Sequence, residues 1–360
     1  MVDMPFGVSR LDSMLDGGVP TGSVVLLATE PGAGGRKFAH TSAAMNALAT
    51  TDNAAFEEYY RGIDHEGVIV PATVQYLSVA ATTDSVETML TETVSEGIAA
   101  SAAEGITHHD LSASYFASTA VPSAWYQRGD GSSLSLPSAA PDAAGDGTAP
   151  AGDTVDTAGD GTDTQADDAE PTDPFDYGDT AAPVADSDTD ETAANDTPDT
   201  ARDPSTNGDA GTADTHAGSL DASSGILSTL RRSLDAAVGG NLVVVDAITD
   251  LDDLPAETVS WAAVVRLLRG LTRLVAARGG LVLVVADAEA VTDPQLGSLS
   301  AATTGTLSFR WETGGSQRAR MLAIEELPGA LDRLDRDEIA AFESELHDRG
   351  YDLSNVRKIR

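Results

Sequence analysis

Three stretches of this 360-residue chain carry side chains whose types and spacing could do chemistry. The first is Thr29-Glu30-Pro31-Gly32-Ala33-Gly34-Gly35-Arg36-Lys37, a glycine-rich turn directly after the apolar run Val24–Ala28. Between a buried strand and a helix, such a turn lets backbone N–H groups approach phosphate oxygens closely, and a basic side chain beside it adds charge. The second is Leu242–Asp246 (LVVVD), which places a carboxylate at the carboxyl end of a buried strand, the edge at which open α/β sheets hold ligands. An Asp there also serves simply to cap the following turn. The third is His108-His109-Asp110, a possible set of metal donors. With no cysteine in the chain and no second cluster of ligand-type residues, it reads as a turn after the third strand.

Composition narrows the chemistry further. The absence of cysteine excludes a disulfide framework, a zinc finger, an iron–sulfur site and a thiol nucleophile. Lys and Arg number 21 against 58 Asp and Glu, a net charge of −37 that argues against a general nucleic-acid binder. Only Lys37 and Lys358 are lysines. So large a charge repels itself in dilute buffer, whereas molar salt shortens the Debye length to ~3 Å and removes most of the repulsion. The composition therefore points to a high-salt cytoplasm. The opening MVDMPFGVSR has neither the basic nor the apolar region of a signal peptide. The longest apolar runs fall far short of the ~20 residues of a membrane helix. Arg231, Arg232, Arg266, Arg269 and Arg273 fall on the polar faces of helices, and Arg357–Arg360 (RKIR) is a short basic end. Arg318 and Arg320 flank a hairpin and could touch DNA phosphates, against which stands the acidic charge of the folded part.

The elements that must position these residues are legible as alternating strands and helices. From Gly129 to Leu220 there are 22 acidic residues and one basic residue, Arg202, in 92 positions, with few large apolar side chains. Such a stretch cannot bury enough surface to fold and is expected to be disordered. It carries −21 and leaves −16 on the remaining 268 residues. On its flanks, Val24–Ala28, Val74–Val79, Leu242–Asp246 and Leu281–Ala286 read as buried strands. Phe38–Leu48, Ile226–Val238 and Trp261–Ala277 read as helices, with Asp84 capping another that carries Val86, Met89, Leu90 and Val94. Thr306–Trp311 and Arg320–Glu325 around Gly314-Gly315 read as a hairpin. After Pro328, Leu331, Leu334, Ile339, Phe342 and Leu346 follow helical spacing. Neither flank has strands enough for a sheet of its own, so one domain split by an insertion is expected.

The stretch Phe6–His40, FGVSRLDSMLDGGVPTGSVVLLATEPGAGGRKFAH, resembles the opening of the KaiC/RadA/GvpD branch of RecA-like P-loop ATPases. That branch opens G-(I/V)-x-x-L-D-x-(L/M)-L-x-G-G-(I/V)-P-x-G. Gly7, Val8, Leu11, Asp12, Met14, Leu15, Gly17, Gly18, Val19, Pro20 and Gly22 meet it without a gap. The resemblance implies a nucleotide site at Glu30, Pro31, Gly32, Ala33, Gly34, Gly35, Arg36 and Lys37. A working loop reads G-x-x-x-x-G-K-(S/T), its lysine on the β/γ oxygens and its hydroxyl on magnesium. Aligned on Phe38-Ala39, Thr29 stands at the first glycine, Gly34 at the second, Gly35 at the lysine and Arg36 at the hydroxyl. A shift of one residue puts Arg36 at the lysine and Lys37 at the hydroxyl but spoils the flanking match. In neither alignment does a hydroxyl follow a lysine. The glutamates that end the family's second strand and activate water are replaced by Ala80-Ala81, and its K-x-R finger by Ala323–Gly329 (AIEELPG). Asp246 matches the family's magnesium-orienting Asp, here vestigial.

Together these features imply an α/β protein with a RecA-like P-loop NTPase fold, its mainly parallel sheet covered by helices on both faces and interrupted by the acidic insertion. Residues 1–128 and 223–330 would form the core, 129–222 the insertion and 331–360 a charged helical tail. The expected function is that of a degenerate, haloarchaeal-type KaiC-like pseudo-ATPase, a regulatory or interaction scaffold with no catalytic residue. No cofactor is expected beyond weak ATP and magnesium binding, and the partner is another protein or another copy of the chain. A divergent active ATPase using Arg36 or Lys37, and a DNA recombination or repair accessory, are the alternatives.

Overall fold

The computed structural model describes residues 2–59, 67–81, 85–126, 225–312, 319–328 and 340–358. The acidic insertion, Asp84, the Gly314-Gly315 turn, Arg318, Gly329, and Leu331, Leu334 and Ile339 of the tail lie outside them.

The short apolar runs become strands. A ribbon of β1 (Asp3–Met4) and β2 (Val19–Pro20) stands apart from the main sheet. That sheet comprises β3 (Ser23–Thr29), β4 (Val74–Ser78), β5 (Ile106–Asp110), β6 (Leu242–Asp246), β7 (Leu281–Asp287), β8 (Gly305–Glu312), β9 (Ala319–Glu326), β10 (Ala340–His347) and β11 (Gly350–Lys358). Their spatial order is β11-β10-β9-β8-β3-β7-β6-β4-β5. Neighbours from β8 to β5 run parallel, and β8 to β11 run antiparallel. The two flanks of the insertion interleave: β3 lies between β7 and β8, and β4 lies beside β6.

Helices cover both faces, because successive strand side chains point to opposite sides. Val25 and Leu27 of β3 pack with residues of α1 (Ser9–Met14), α2 (Gly35–Thr51), α3 (Asn53–Tyr59), α4 (Val86–Thr91) and α5 (Glu96–Ala103) in one core. Val24 and Leu26 pack with residues of α6 (Ser112–Ala117), α7 (Ile226–Ala237), α8 (Trp261–Arg278) and α9 (Asp293–Ser300) in the other. Central parallel strands buried on both sides read as unbroken apolar runs, which is why they stood out in the sequence. This is the α/β class expected, a mainly parallel sheet with helices on both faces. No helix among the described residues is long and apolar enough to cross a membrane. The motif residue Asp12 is fully buried, and its carboxylate accepts the N–H groups of Phe6, Gly7 and Val8 at 2.7, 2.8 and 3.0 Å. Its place in the opening pattern is therefore that of a structural clamp on the turn before α1.

Three local expectations are corrected. The tail is not helical where it is described: β10 and β11 form an antiparallel hairpin. Phe342 and Ser344 are buried while Glu345 is exposed, and Tyr351 and Leu353 are buried with Asp352 between them. That two-residue alternation is a strand signal, and it outweighs the helical spacing of Phe342 and Leu346. The triplet His108-His109-Asp110 lies within β5 rather than in a turn. His108 Nε2 is 2.9 Å from Ser78 Oγ and His109 Nε2 is 2.8 Å from Gln75 Oε1 on the neighbouring strand, so the imidazoles serve the sheet edge. The cap of α4 is Ser85, whose Oγ accepts the Thr88 N–H at 3.0 Å.

Candidate functional site

The glycine-rich turn joins β3 to α2. Thr29 ends the strand, Glu30–Gly34 make the turn and Gly35 begins the helix. Gly34, with φ +113°, precedes the first helical residue, and a Cβ on it would stand 2.9 Å from Cε2 of Tyr351. Only glycine suits both the left-handed backbone and the aromatic ring laid on it. The turn is fastened to the antiparallel strands beside it. Glu30 Oε2 accepts the Trp311 backbone N–H at 2.9 Å, and the Trp311 indole N–H donates to the Pro31 carbonyl at 3.0 Å. Arg320 Nε donates to the Gly32 carbonyl at 3.0 Å, its guanidinium lying 5.0 Å over the Trp311 ring. Ala33 is buried, its N–H donating to the Glu30 carbonyl at 3.0 Å.

The two basic residues of the turn leave it in different directions. Lys37 Nζ donates to the carbonyl and the carboxylate of Glu92, at 2.8 and 3.2 Å, at the end of α4. Arg36 turns toward the sheet, where its Nε donates to Asp246 Oδ1 at 2.7 Å and Oδ2 at 3.0 Å. Asp246 follows Leu242 and Val244 on the α2 face of β6 and is only 4 % exposed. Beside it on β4, the fully buried Tyr76 donates its hydroxyl to Asp246 Oδ2 at 2.7 Å. Burial drives the Tyr76 pKa well above its ordinary range, with the Asp246 carboxylate adding to the effect. For Arg36, burial works against the charge but the attraction of Asp246 outweighs it, and the pKa rises. Both oxygens of Asp246 are thus held by side chains of the chain itself.

The helix begins at Gly35, and it is Arg36 that reaches Asp246, where the gapless match places the magnesium hydroxyl. Magnesium, the ion implied by the resemblance, does not fit these residues: a guanidinium stands at the hydroxyl position and the carboxylate is engaged. At the end of β4, the N–H of Ala80 donates to Asp250 Oδ2 at 3.2 Å, an oxygen that also takes the Ala247 N–H at 3.4 Å. Burial raises the Asp250 pKa. Ala323–Glu326 lie in β9, with no basic side chain among them. Among the described residues no group of His, Asp and Glu is arranged to hold a metal ion. Arg231, Arg232 and Arg266 line a cavity of about 550 Å³ between α7 and α8, away from this turn.

Tyr76, Asp250, Trp311 and Tyr351 were not singled out by sequence reasoning. Tyr76 had a signal: a tyrosine within a buried strand needs a partner for its hydroxyl. Trp311 and Tyr351 had none, because their contacts depend on how β8 to β11 fold beside the turn.

No family model matches the chain, and no curated protein matches it. Among solved structures it is similar to a KaiC-like protein from the hyperthermophilic archaeon Pyrococcus horikoshii, at 12 % identity and a TM-score of 0.49, over 99 % of this chain and 100 % of that one. It is also similar to the flagellar accessory protein FlaH from Methanocaldococcus jannaschii, at 10 % identity and a TM-score of 0.46, over 96 % and 95 % of the two chains.

One residue of α2 makes stability depend on pH. His40 is 3 % exposed, with Nδ1 3.1 Å from Thr93 Oγ1, and burial lowers its pKa to about 4. An unfolded chain takes up this proton near pH 6.5, which the folded one resists until about pH 4. The stabilising contribution is therefore whole above pH 6.5 and is lost as pH falls toward 4, by as much as ~3 kcal/mol. Chemical denaturation of the wild type and His40→Gln across this window should show the wild type losing stability relative to the variant.

Proposed function

We propose that this chain is a RecA-like scaffold that does not hydrolyse ATP and acts by holding a protein partner or further copies of itself. The observation that supports this most is Asp246, whose two oxygens are taken by Arg36 and Tyr76 where a hydrolytic site needs one for a metal's water shell. The missing groups point the same way. A positioned general base contributes ~10²–10⁴ in rate, and the end of β4 offers Ala80 and Ala81. Losing the lysine's charge-assisted hydrogen bond costs roughly 1.5–3 kcal/mol, so nucleotide affinity would be about 10–150-fold weaker. The first-turn N–H groups of α2 still favour anions in a general way. The net charge of −37 suits a high-salt cytoplasm, in which self-repulsion is screened.

Against this reading stands an active ATPase that draws on Asp250, the carboxylate fastened beside Ala80 and Ala247. Purified full-length protein in multimolar KCl, supplied with magnesium and ATP, should show no turnover above Asp246→Asn and Asp250→Asn controls. Any nucleotide-dependent rise in stability should fall well short of the ~2.7 kcal/mol that a ligand at 100 times its Kd would add. Turnover abolished by either substitution would overturn the proposal.

A further inference from the structure

The departures from the phosphate-loop pattern are not independent losses. Thr29 stands where the pattern has glycine, and Gly35 where it has lysine. A Cβ at position 35 would lie 2.7 Å from the Thr29 Cβ, 2.9 Å from its Oγ1 and 3.1 Å from Cδ2 of Phe309. The Thr29 side chain fills the room a residue at 35 would need, and its Oγ1 accepts the Gly35 N–H at 3.3 Å. Arg36, the next residue, brings its guanidinium to Asp246. The Asp246 side chain is 6 % exposed against 55 % for Arg36, so the buried carboxylate is neutralised by a cation that reaches it from the solvent side. A guanidinium keeps its charge at any pH the protein meets and is covalently held at the site.

We infer that Arg36 is the resident cation of this site, standing against Asp246 in place of a divalent metal, with Thr29 and Gly35 a matched pair that closes the adjoining lysine position. The inference rests on the reading of this turn as a rebuilt nucleotide loop. Its consequence is structural: the start of α2 and the end of β6 are linked permanently, without any ion or nucleotide from solution.

Manganese alone, followed by its electron paramagnetic resonance signal in multimolar KCl, tests this on the full-length wild type, Arg36→Ser, and Arg36→Ser combined with Asp246→Asn. Weak uptake by the acidic surface is common to all three and cancels. Removing the guanidinium should expose Asp246 beside a new hydroxyl, so Arg36→Ser should bind manganese at least tenfold more tightly than the wild type and gain thermal stability from it. The double variant should lose both effects. Equal manganese affinity in the wild type and a folded Arg36→Ser would overturn the inference, as would a gain that survives Asp246→Asn. Should Arg36→Ser fail to fold, Arg36→Lys keeps a cation at the site and must be as indifferent to manganese as the wild type; manganese binding there overturns the inference equally. These readouts are separate from hydrolysis. ATP turnover would remove the functional proposal, whereas manganese bound at Asp246 in the wild type without turnover would remove the resident cation and leave the absence of hydrolysis standing.

Discussion

Gly35→Lys, the substitution that writes the missing lysine back into the turn, should destabilise the protein by about 2–3 kcal/mol rather than create a nucleotide site. The obstacle is the first carbon of the side chain, not its charge. A Cβ at 35 meets the Cβ and Oγ1 of Thr29 within 3 Å, and neither is the far end of a flexible chain. Gly35→Ala should therefore be destabilising too, although replacing a helical glycine by alanine ordinarily gains about 1 kcal/mol. That reversal of sign separates crowding from any effect of charge. Thr29→Gly removes the obstructing side chain, so Thr29→Gly combined with Gly35→Lys should recover at least 1 kcal/mol of the sum of the single effects, a coupling expected of residues in contact. Recovery stays partial, because Phe309 remains 3.1 Å from the new carbon. Denaturant titration of the four proteins in multimolar KCl measures the cycle, and additive effects would show that Thr29 and Gly35 are not a pair.

The sequence carried more of the fold than of the site, for a physical reason. Strands buried on both faces leave unbroken apolar runs, so β3, β4, β6 and β7 were visible from Val24, Val74, Leu242 and Leu281 onward. The amphipathic helices α7 and α8 were equally plain from their spacing. The last hairpin is hidden in the sequence because Phe342 and Leu346 are four residues apart, which fits a helix and also fits one face of a strand. Alternation of Tyr351, Asp352 and Leu353 was the better signal. At the site, the sequence showed that a lysine followed by a hydroxyl was missing, but pattern matching treats each position alone. The contact of Thr29 with Gly35 joins the two ends of a turn, and the pairing of Arg36 with Asp246 spans 210 residues. Neither is a matter of local propensity. Asp250, 170 residues from Ala80 in sequence, accepts its N–H at 3.2 Å, another contact that no local pattern announces.

Arg36→Met should cost about 2 kcal/mol, while Asp246→Asn should cost no more than about 1 kcal/mol, and this asymmetry is the sharpest consequence of the pair's geometry. The two partners differ in what they lose. Asp246 is buried, so without Arg36 its charge has, among the described side chains, the Tyr76 hydroxyl to answer it. Stranding a fully buried charge costs 3–5 kcal/mol, and the smaller figure reflects solvent reaching the site along the half-exposed arginine. In Asp246→Asn the Tyr76 hydroxyl keeps an acceptor and the guanidinium is hydrated where it already meets water. Arg36→Met in the Asp246→Asn background should then cost little, because no buried charge remains to be stranded. Thermal and denaturant unfolding of these variants in high salt give the numbers. Equal losses for the two single substitutions would mean an ordinary surface ion pair, whereas a steep loss confined to Arg36→Met would show the arginine neutralising a carboxylate that the fold has buried.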